Sequence, residues 1–351
     1  MTQSQTNFPD STPLDIRLGH TKPQDVKFPL RWGILGSGNI SRQWVLSLRA
    51  CAGASVLAVG ARELQKAQQF AENLDIPKSY GSYIDLVNDD EIDIIYVGTI
   101  TRLHKEHTLL ALEAGKHVLC EKPLAENLAD AHEMYALAES KGLMLQDAMW
   151  TRFFPAVEHA RTCIERGELG KPLMVQSDFF DPIYVIQAAP LAFGKTSKPK
   201  NLAYLGKRAS GAIVEYGDDQ VAMLSFPPFN SELPETTQIF GTEGRISLEH
   251  PAHCPTTLKI YRPDTGGVPS RYRTRNMHAP HTEFSYPLPE NVAIPSAFPN
   301  QHGFLYQAES IHRCIANGLS SCPQFDKEDS LHCMDLLNQI YLARQEISQG
   351  G

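Results

Sequence analysis

The sequence predicts an α/β fold, with a doubly wound parallel sheet in the first part of the chain and an α+β domain in the second. Up to about residue 150, apolar strand segments alternate with amphipathic helical segments, and this alternation is typical of βαβ units in a parallel sheet. Beyond that point, short segments alternate apolar with polar residues, which favours the strands of an open, mostly antiparallel sheet.

The elements of the first part follow one another regularly. Predicted strands cover residues 31–35, 55–60, 92–98, 117–120 and 143–146. Predicted helices cover residues 40–50, 64–74, 83–88, 105–114 and 127–140. Continuous apolar runs such as residues 94–97 are typical of parallel strands that are buried on both faces.

The second part is predicted from shorter signals. Helices are expected at 157–166, 302–317 and 328–347, and strands at 213–216, 222–226, 237–240, 246–248 and 257–261. A hairpin turn is expected at 241–244, and residues 262–300, rich in Pro, Arg and His, are expected to form long loops. We therefore divide the chain into a flexible arm (1–29), a first domain (30–150) and a second domain (151–351).

Composition argues against several classes of function. The formal net charge of -8 disfavours a nucleic-acid or anionic-membrane surface. No segment approaches the ~20 apolar residues of a spanning helix, and residues 1–29 lack the apolar core of a secretory signal. The seven cysteines are scattered without CxxC spacing, which favours a reducing, cytoplasmic setting. The histidines and cysteines lack the spacing of a four-ligand zinc site, so no metal is predicted.

A glycine-rich turn links the first predicted strand to the first predicted helix. It consists of Gly36, Ser37, Gly38, Asn39, Ile40 and Ser41, and it fits the G-x-G-x-x-small pattern of Rossmann domains. The first glycine permits the tight turn, the second lets the backbone approach a pyrophosphate, and the helix N-terminus attracts the phosphate charge. Residues 36–40 are therefore the predicted cradle of a dinucleotide cofactor, and a purely structural glycine turn is the alternative.

The end of the second predicted strand bears on which cofactor binds. An acidic side chain there would bind the ribose 2′-hydroxyl of NAD, whereas this chain has Arg62, whose guanidinium suits the 2′-phosphate of NADP. NADP is therefore favoured, although the adjacent Glu63 opposes that preference and an exposed arginine at a helix start is the alternative. After the third predicted strand, Thr99 and His104 are expected cofactor contacts, with helix capping as the alternative.

Three further motifs carry a resemblance to a known family. They are Glu121-Lys122-Pro123 after a predicted strand, residues 149–155 (Met-Trp-Thr-Arg-Phe-Phe-Pro) and residues 241–245 (Gly-Thr-Glu-Gly-Arg). Together with the glycine cradle and Arg62, they make the chain from about residue 30 onward resemble the Gfo/Idh/MocA oxidoreductases. Within that family it is similar to the dimeric dihydrodiol dehydrogenases and the NADP-dependent D-xylose dehydrogenases.

The resemblance implies roles for individual residues. Lys122 would lie near the nicotinamide and the reacting hydroxyl, and its position after a strand supports this because ligands bind at the carboxyl ends of parallel strands. A surface lysine before a proline turn is the alternative. Glu121, Trp150 and Arg152 would contact the cofactor, with packing between domains as the alternative for the last two. The resemblance also implies a homodimer formed through the open sheet of the second domain.

By the same resemblance, Tyr184 is the general acid/base, and a tyrosine packed in an apolar core is the alternative. The glycine-rich run and the aspartate that precede this tyrosine in the family are absent here, and Asp181 stands at a different spacing. The expected function is NADP-dependent oxidation of a ring hydroxyl, either of D-xylose to its lactone or of a trans-dihydrodiol to a catechol. The alternative is an NADP-binding protein that lacks part of the substrate wall and is catalytically impaired.

Overall fold

A parallel sheet forms the first layer of the structure, as the alternation of strands and helices predicts. The computed structural model describes residues 29–51, 53–206, 210–227, 233–262, 281–289 and 297–349, so almost all of the predicted arm lies outside the described residues. The strands are β1 (Leu30–Leu35), β2 (Ala54–Gly60), β3 (Lys78–Tyr80), β4 (Ile94–Val97), β5 (His117–Cys120) and β6 (Leu145–Asp147). They pair in parallel in the order β3-β2-β1-β4-β5-β6, which is the strand order of a Rossmann fold.

The helices of this region connect consecutive strands. They are α1 (Asn39–Leu48), α2 (Leu64–Asn73), α3 (Tyr83–Val87), α4 (His104–Glu113) and α5 (Leu128–Lys141). All four residues of β4 are buried, which confirms that its apolar run is a central strand covered on both faces. Helix α5 begins where the Asn127 side chain accepts a hydrogen bond from the Asp130 N–H at 2.9 Å, and it ends at Gly142 with φ of 65°.

The second sheet is mostly antiparallel, as predicted. Its strands are β7 (Pro172–Asp178), β8 (Pro199–Leu205), β9 (Gly211–Tyr216), β10 (Val221–Ser225), β11 (Thr237–Gly241), β12 (Arg245–Leu248), β13 (Thr257–Tyr261) and β14 (His281–Ser285). In the described part of the chain they lie in the order β14-β13-β12-β11-β7-β10-β9-β8, and β7 and β10 run parallel to each other. The helices are α6 (Pro155–Glu165), α7 (Pro182–Ile186), α8 (Ala188–Phe193), α9 (Phe304–Ala316) and α10 (Lys327–Gln349).

Three strands of this region, β7, β8 and β14, are not among the predicted strands, and β14 contradicts the prediction of a loop. Residues 281–285 were expected to lie in a loop, but they pair with β13 as an edge strand. Only Phe284 of this strand is buried, so the alternation of apolar and polar residues that identifies a strand is almost absent there. Residues 262, 286–289 and 297–300 of the expected loop form no helix or strand, and residues 263–280 and 290–296 lie outside the described residues.

Packing divides the described chain into two compact units. The first unit comprises residues 29–153 together with 288–335, and the second comprises 154–287 together with 336–349. The segment 288–335, which follows the second sheet in sequence, packs on the first sheet through α9. Phe304 contacts Trp44 with ring centroids 5.7 Å apart, and the Trp32 indole N–H donates a hydrogen bond to His312 Nε2 at 3.0 Å.

None of the helices in the described part of the chain combines the length and apolar character that crossing a membrane requires.

Candidate functional site

The carboxyl ends of parallel strands form one edge of the first sheet, and most predicted site residues of the first unit lie along it. Hydrogen bonding continues one residue beyond the strands: the Gly98 N–H donates to Leu35 O at 3.0 Å, and the Glu121 N–H donates to Val97 O at 3.0 Å. The loops that follow β1, β4 and β5 therefore begin at the same level. In folds of this type, ligands bind at this edge.

The loop between β1 and α1 has the geometry that its two glycines predict. Gly36 has φ of 105°, a conformation that side chains disfavour, and an added Cβ would lie 3.1 Å from Gly98 O. Gly38 is different: its φ is -81°, and an added Cβ would meet nothing closer than Gly98 O at 3.8 Å. The protein alone does not require glycine at position 38, so an exposed backbone kept clear for a ligand explains it.

The start of α1 offers free backbone donors to that ligand. The helix has no side-chain cap and no acidic residue in its first turn, so the N–H groups beyond Gly38 are open to phosphate oxygens. Ser37, Asn39 and Ile40 lie in the same loop and first turn, where the sequence places the cradle. The described residues therefore fit the pyrophosphate of a dinucleotide.

The third position of the glycine motif, Ser41, requires a small side chain because α1 packs closely against the end of β4. The Ser41 hydroxyl donates to Gly98 O at 3.5 Å, and a Cβ added to Gly98 would lie 2.2 Å from the Ser41 oxygen. A larger side chain at position 41 would push the helix away from the sheet. Serine therefore serves where the family pattern more often has glycine or alanine.

Arg62 follows β2 in an exposed position. Among the described residues, its guanidinium forms no hydrogen bond or ion pair, so its donors are available to a ligand. The neighbouring Glu63 is paired with Lys66 at 2.6 Å, and this bond lowers the pKa of Glu63. The acidic side chain that opposes a 2′-phosphate is thus already paired with a cation.

Thr99 and His104 flank the loop after β4. The Thr99 hydroxyl bonds with His107 Nδ1 at 3.0 Å. His104 is 1% exposed, and its two ring nitrogens lie 2.9 Å from Pro123 O and 3.0 Å from Thr99 O. The imidazole thereby ties the loop after β4 to the loop that carries Lys122, and its contact with a cofactor remains a prediction.

Glu121 and Lys122 follow β5 directly. Tyr96 on β4 donates from its hydroxyl to Glu121 Oε1 at 2.6 Å, and the Lys122 N–H donates to Glu121 Oε2 at 3.2 Å. Burial raises the pKa of Glu121, and the Tyr96 bond opposes that rise. The carboxyl group fixes the backbone of Lys122, whose half-buried side chain follows the strand at the ligand-binding edge.

Asp147, at the end of β6, was not predicted as a site residue. Its Oδ2 accepts a hydrogen bond from the Ser330 hydroxyl at 2.7 Å, and its buried Oδ1 has no hydrogen-bond partner among the described residues. Burial, together with the nearby Glu121 charge, raises the pKa of Asp147 to about 7. The same rule that supports Lys122, position after a parallel strand, could have identified this carboxylate.

Trp150 and Arg152 are buried within the first unit. The Trp150 ring lies 4.6 Å from the ring of Phe304 on α9. Arg152 is 0% exposed, bonds to Asp329 at 3.3 Å and lies over the ring of Phe325 at 5.2 Å. Both side chains have packing partners in the described residues, and their contact with a cofactor remains a prediction.

Tyr184 belongs to the second unit, in the short helix α7. The connection from β7 is only three residues long, Phe179–Asp181, and the Asp181 side chain caps the helix by accepting from the Ile183 N–H at 3.2 Å. The half-buried Tyr184 ring packs against Phe179 and His253 at centroid distances of 5.2 and 5.5 Å. Proline at position 190 falls inside the separate helix α8.

Comparison with known proteins agrees with this geometry. The family model described as an oxidoreductase family with an NAD-binding Rossmann fold matches residues 30–148. Trans-1,2-dihydrobenzene-1,2-diol dehydrogenase of Sus scrofa is 33% identical over 344 residues, which cover 89% of this chain and 96% of that protein.

Two solved structures share the fold at lower identity. A 3-ketoreductase from Actinomadura kijaniata in complex with NADP has a TM-score of 0.70 and 22% identity, covering 90% of this chain and 97% of that chain. Levoglucosan dehydrogenase in complex with NADH and levoglucosan has a TM-score of 0.73 and 19% identity, with 90% and 97% covered. The extended identity to the curated relative, the matched family region and the glycine loop lead to one conclusion: the chain belongs to the Gfo/Idh/MocA family of oxidoreductases.

Proposed function

We propose that the chain is an NADP-dependent dehydrogenase that oxidises a ring hydroxyl of a sugar or a cyclic diol, with D-xylose or a trans-dihydrodiol as the substrate. The observation that carries this proposal is the position of Lys122, which follows β5 at the same sheet edge as the glycine loop after β1. The name of the relative from Sus scrofa supports the diol, and the resemblance to D-xylose dehydrogenases supports the sugar.

In this proposal, a bound nicotinamide supplies the hydride acceptor. The Lys122 ammonium donates a hydrogen bond to the substrate oxygen and stabilises its alkoxide character as the C–H bond breaks. Tyr184, as phenolate, accepts the proton of the substrate hydroxyl. The alcohol thus loses one hydride and one proton and becomes a carbonyl, which is a lactone when the reacting carbon is anomeric.

The choice of NADP rests on Arg62. Its guanidinium has no ion-pair partner in the described residues, and the Lys66 ammonium pairs with the carboxylate of Glu63. A 2′-phosphate would therefore meet an available planar donor. We expect Arg62→Gln to raise the Kd for NADPH by about 10- to 100-fold and to change the Kd for NADH little, as for the loss of a charge-assisted bond. Equal effects on both cofactors would contradict the assignment.

The proposal is tested by NADP reduction with the purified protein. D-xylose, a series of other aldoses and a trans-dihydrodiol are supplied as substrates, and NADP and NAD binding is titrated on the same sample. Tyr184→Phe and Lys122→Met are each expected to lower kcat by about 100-fold or more while leaving the Kd for NADPH within about twofold. Full activity of Tyr184→Phe would refute its assignment as the acid/base.

The catalytically impaired NADP-binding protein remains a second candidate. The three-residue connection between β7 and α7 favours it, because the family's glycine-rich run and aspartate would stand there. Tight NADPH binding without turnover of any tested substrate would support this candidate. Turnover of one substrate would exclude it.

We further propose a homodimer through the exposed face of the second sheet. Leu205, Ile213 and Met223 lie on β8, β9 and β10 with 39–50% of their surfaces exposed, and apolar residues grouped on a sheet face favour a symmetric partner. Ile213→Asp is expected to convert the dimer to a monomer in light-scattering measurements. A wild-type protein that is monomeric at all tested concentrations would refute the dimer.

A cytoplasmic location is also proposed. All seven cysteines are buried thiols that form no disulfide, which is compatible with a reducing compartment. Localisation of a tagged full-length chain by microscopy tests this.

A further inference from the structure

Glu235, in the second unit, has a backbone conformation that non-glycine residues rarely adopt. Its φ is 50°, in the left-handed region where a side chain is disfavoured. Asp178, at the end of β7, holds this conformation because its carboxylate accepts hydrogen bonds from the Glu235 N–H at 2.5 Å and the Thr236 N–H at 3.1 Å. Strain of this kind persists only where surrounding bonds maintain it, and it is often associated with function.

The strained backbone directs a buried carboxylate at an imidazole. Glu235 Oε1 forms a hydrogen bond with His253 Nδ1, and Glu235 Oε2 lies 3.5 Å from Nδ1 of the exposed His250. The other ring nitrogen of His253, Nε2, lies 3.3 Å from Cys254 Sγ. With both nitrogens engaged, the His253 ring is held in one orientation.

The oriented imidazole packs against the candidate acid/base. Phe179 stacks on the His253 ring with centroids 4.6 Å apart and 23° between the planes. Tyr184 meets the same ring edge-on at 5.5 Å and 64°, and it meets Phe179 at 5.2 Å and 87°. Both neighbours therefore constrain the position and the tilt of the Tyr184 ring.

Ordinary core packing does not explain this arrangement. An apolar ring at position 253 would fill the same space without a buried carboxylate, and a buried charge is retained only when it is paired. A metal site does not explain it either, because no group of three suitable ligands occurs in the described part of the chain. Glu235 bonds to His253, and His253 packs against Tyr184, so the pair is connected to the candidate acid/base.

We propose that Glu235 and His253 are positioning residues that together fix the ring of Tyr184 for proton transfer. The pair acts through packing and orientation, and neither residue contacts the reacting atoms in this proposal. It rests on the proposed function, because that function assigns Tyr184 as the acid/base. It adds two residues that the sequence motifs of the family resemblance do not include.

The kinetic test uses three variants with a matched control. His253→Phe keeps an aromatic ring but removes both polar bonds, and Glu235→Gln keeps the shape of Glu235 but removes its charge. His250→Gln alters the exposed imidazole on the same carboxylate and serves as the control. We expect His253→Phe to lower kcat about tenfold or more and Glu235→Gln to lower it severalfold, with KM and the Kd for NADPH within about twofold. His250→Gln should match the wild type.

A double variant separates positioning from general destabilisation. If His253 acts through Tyr184, adding His253→Phe to Tyr184→Phe should produce no further loss of kcat. Multiplicative losses would show that His253 acts independently of Tyr184 and would overturn the proposal. Wild-type kcat in both His253→Phe and Glu235→Gln would overturn it as well.

A spectroscopic measurement keeps this test independent of turnover. Fluorotyrosine is incorporated at the twelve tyrosines, and the Tyr184 resonance is identified by its absence in Tyr184→Phe. Glu235→Gln should shift or broaden that resonance, whereas His250→Gln should leave it unchanged. An unchanged resonance in Glu235→Gln would refute the positioning pair even if the wild type is inactive. If the wild type shows no turnover but Glu235→Gln still shifts the Tyr184 resonance, the proposed function is refuted and the positioning pair is not.

Discussion

Replacing Asp147 with asparagine should change how the stability of the protein depends on pH. Burial raises the pKa of Asp147 from its ordinary 3.8 to about 7. Between these pH values the native state holds a proton that the unfolded chain releases, so the free energy of unfolding falls as pH rises, by about 1.4 kcal/mol per pH unit. Over the three units the loss reaches about 4 kcal/mol as an upper bound, and it persists above pH 7.

Asp147→Asn removes this loss because the amide does not ionise. The new NH₂ takes the place of a buried oxygen, and an unpaired donor there costs about 1–3 kcal/mol. The variant is therefore expected to be more stable than the wild type by about 1–3 kcal/mol near pH 8 and less stable near pH 4. This reversal of sign distinguishes an ionisation effect from a change in packing.

Urea unfolding at pH steps from about 4 to 8 measures this reversal. The control is Asp90→Asn, which makes the same substitution at an exposed position. The free energy of unfolding should fall with pH less steeply in Asp147→Asn than in the wild type, and the difference in slope should correspond to about one bound proton. Parallel curves for Asp147→Asn and the wild type would refute the reasoning, because they would mean that Asp147 binds no additional proton in the native state.

Two further predictions concern the cofactor loop and the buried ion pair of the first unit. Gly38→Ala should weaken binding of the reduced cofactor by about tenfold or more with little change in Tm. Gly36 has φ of 105°, so Gly36→Ala should lower both the cofactor affinity and Tm. Fluorescence titration and thermal melts measure these effects, and equal Tm losses would contradict them. Arg152→Met should lower the free energy of unfolding by about 3–5 kcal/mol, because it leaves Asp329 buried without this partner. The double variant with Asp329→Leu should recover most of that loss in urea unfolding, and no recovery would contradict the role of the pair.

The fold could be predicted from the sequence where local signals agree with burial. The four apolar residues of β4 predict a central strand, and the first two glycines of the loop after β1 predict its turn. Strand β14 was missed because only one of its five side chains is buried. Main-chain hydrogen bonds pair it with β13, and almost any residue type can form them, so the sequence pattern does not identify the strand.

The candidate site was predictable only where a motif is continuous in sequence. Lys122 lies within a short motif, but the raised pKa of Asp147 comes mainly from its burial in the folded chain, and its hydrogen-bond partner Ser330 is 183 residues away. Glu235 and His253 are separated by 18 residues. Glu235 has a positive φ, which a glutamate in the sequence does not predict. Burial and long-range hydrogen bonding create these features, and neither follows from spacing along one segment.

During synthesis, residues 29–153 leave the ribosome before residues 288–335 exist. At 5–20 residues per second, the interval is roughly 7–27 s. Until α9 arrives, the indoles of Trp32 and Trp44 lack their contacts with His312 and Phe304. The nascent first sheet therefore presents an apolar surface to solvent for that time, and this surface is where a chaperone that shields exposed apolar groups would bind.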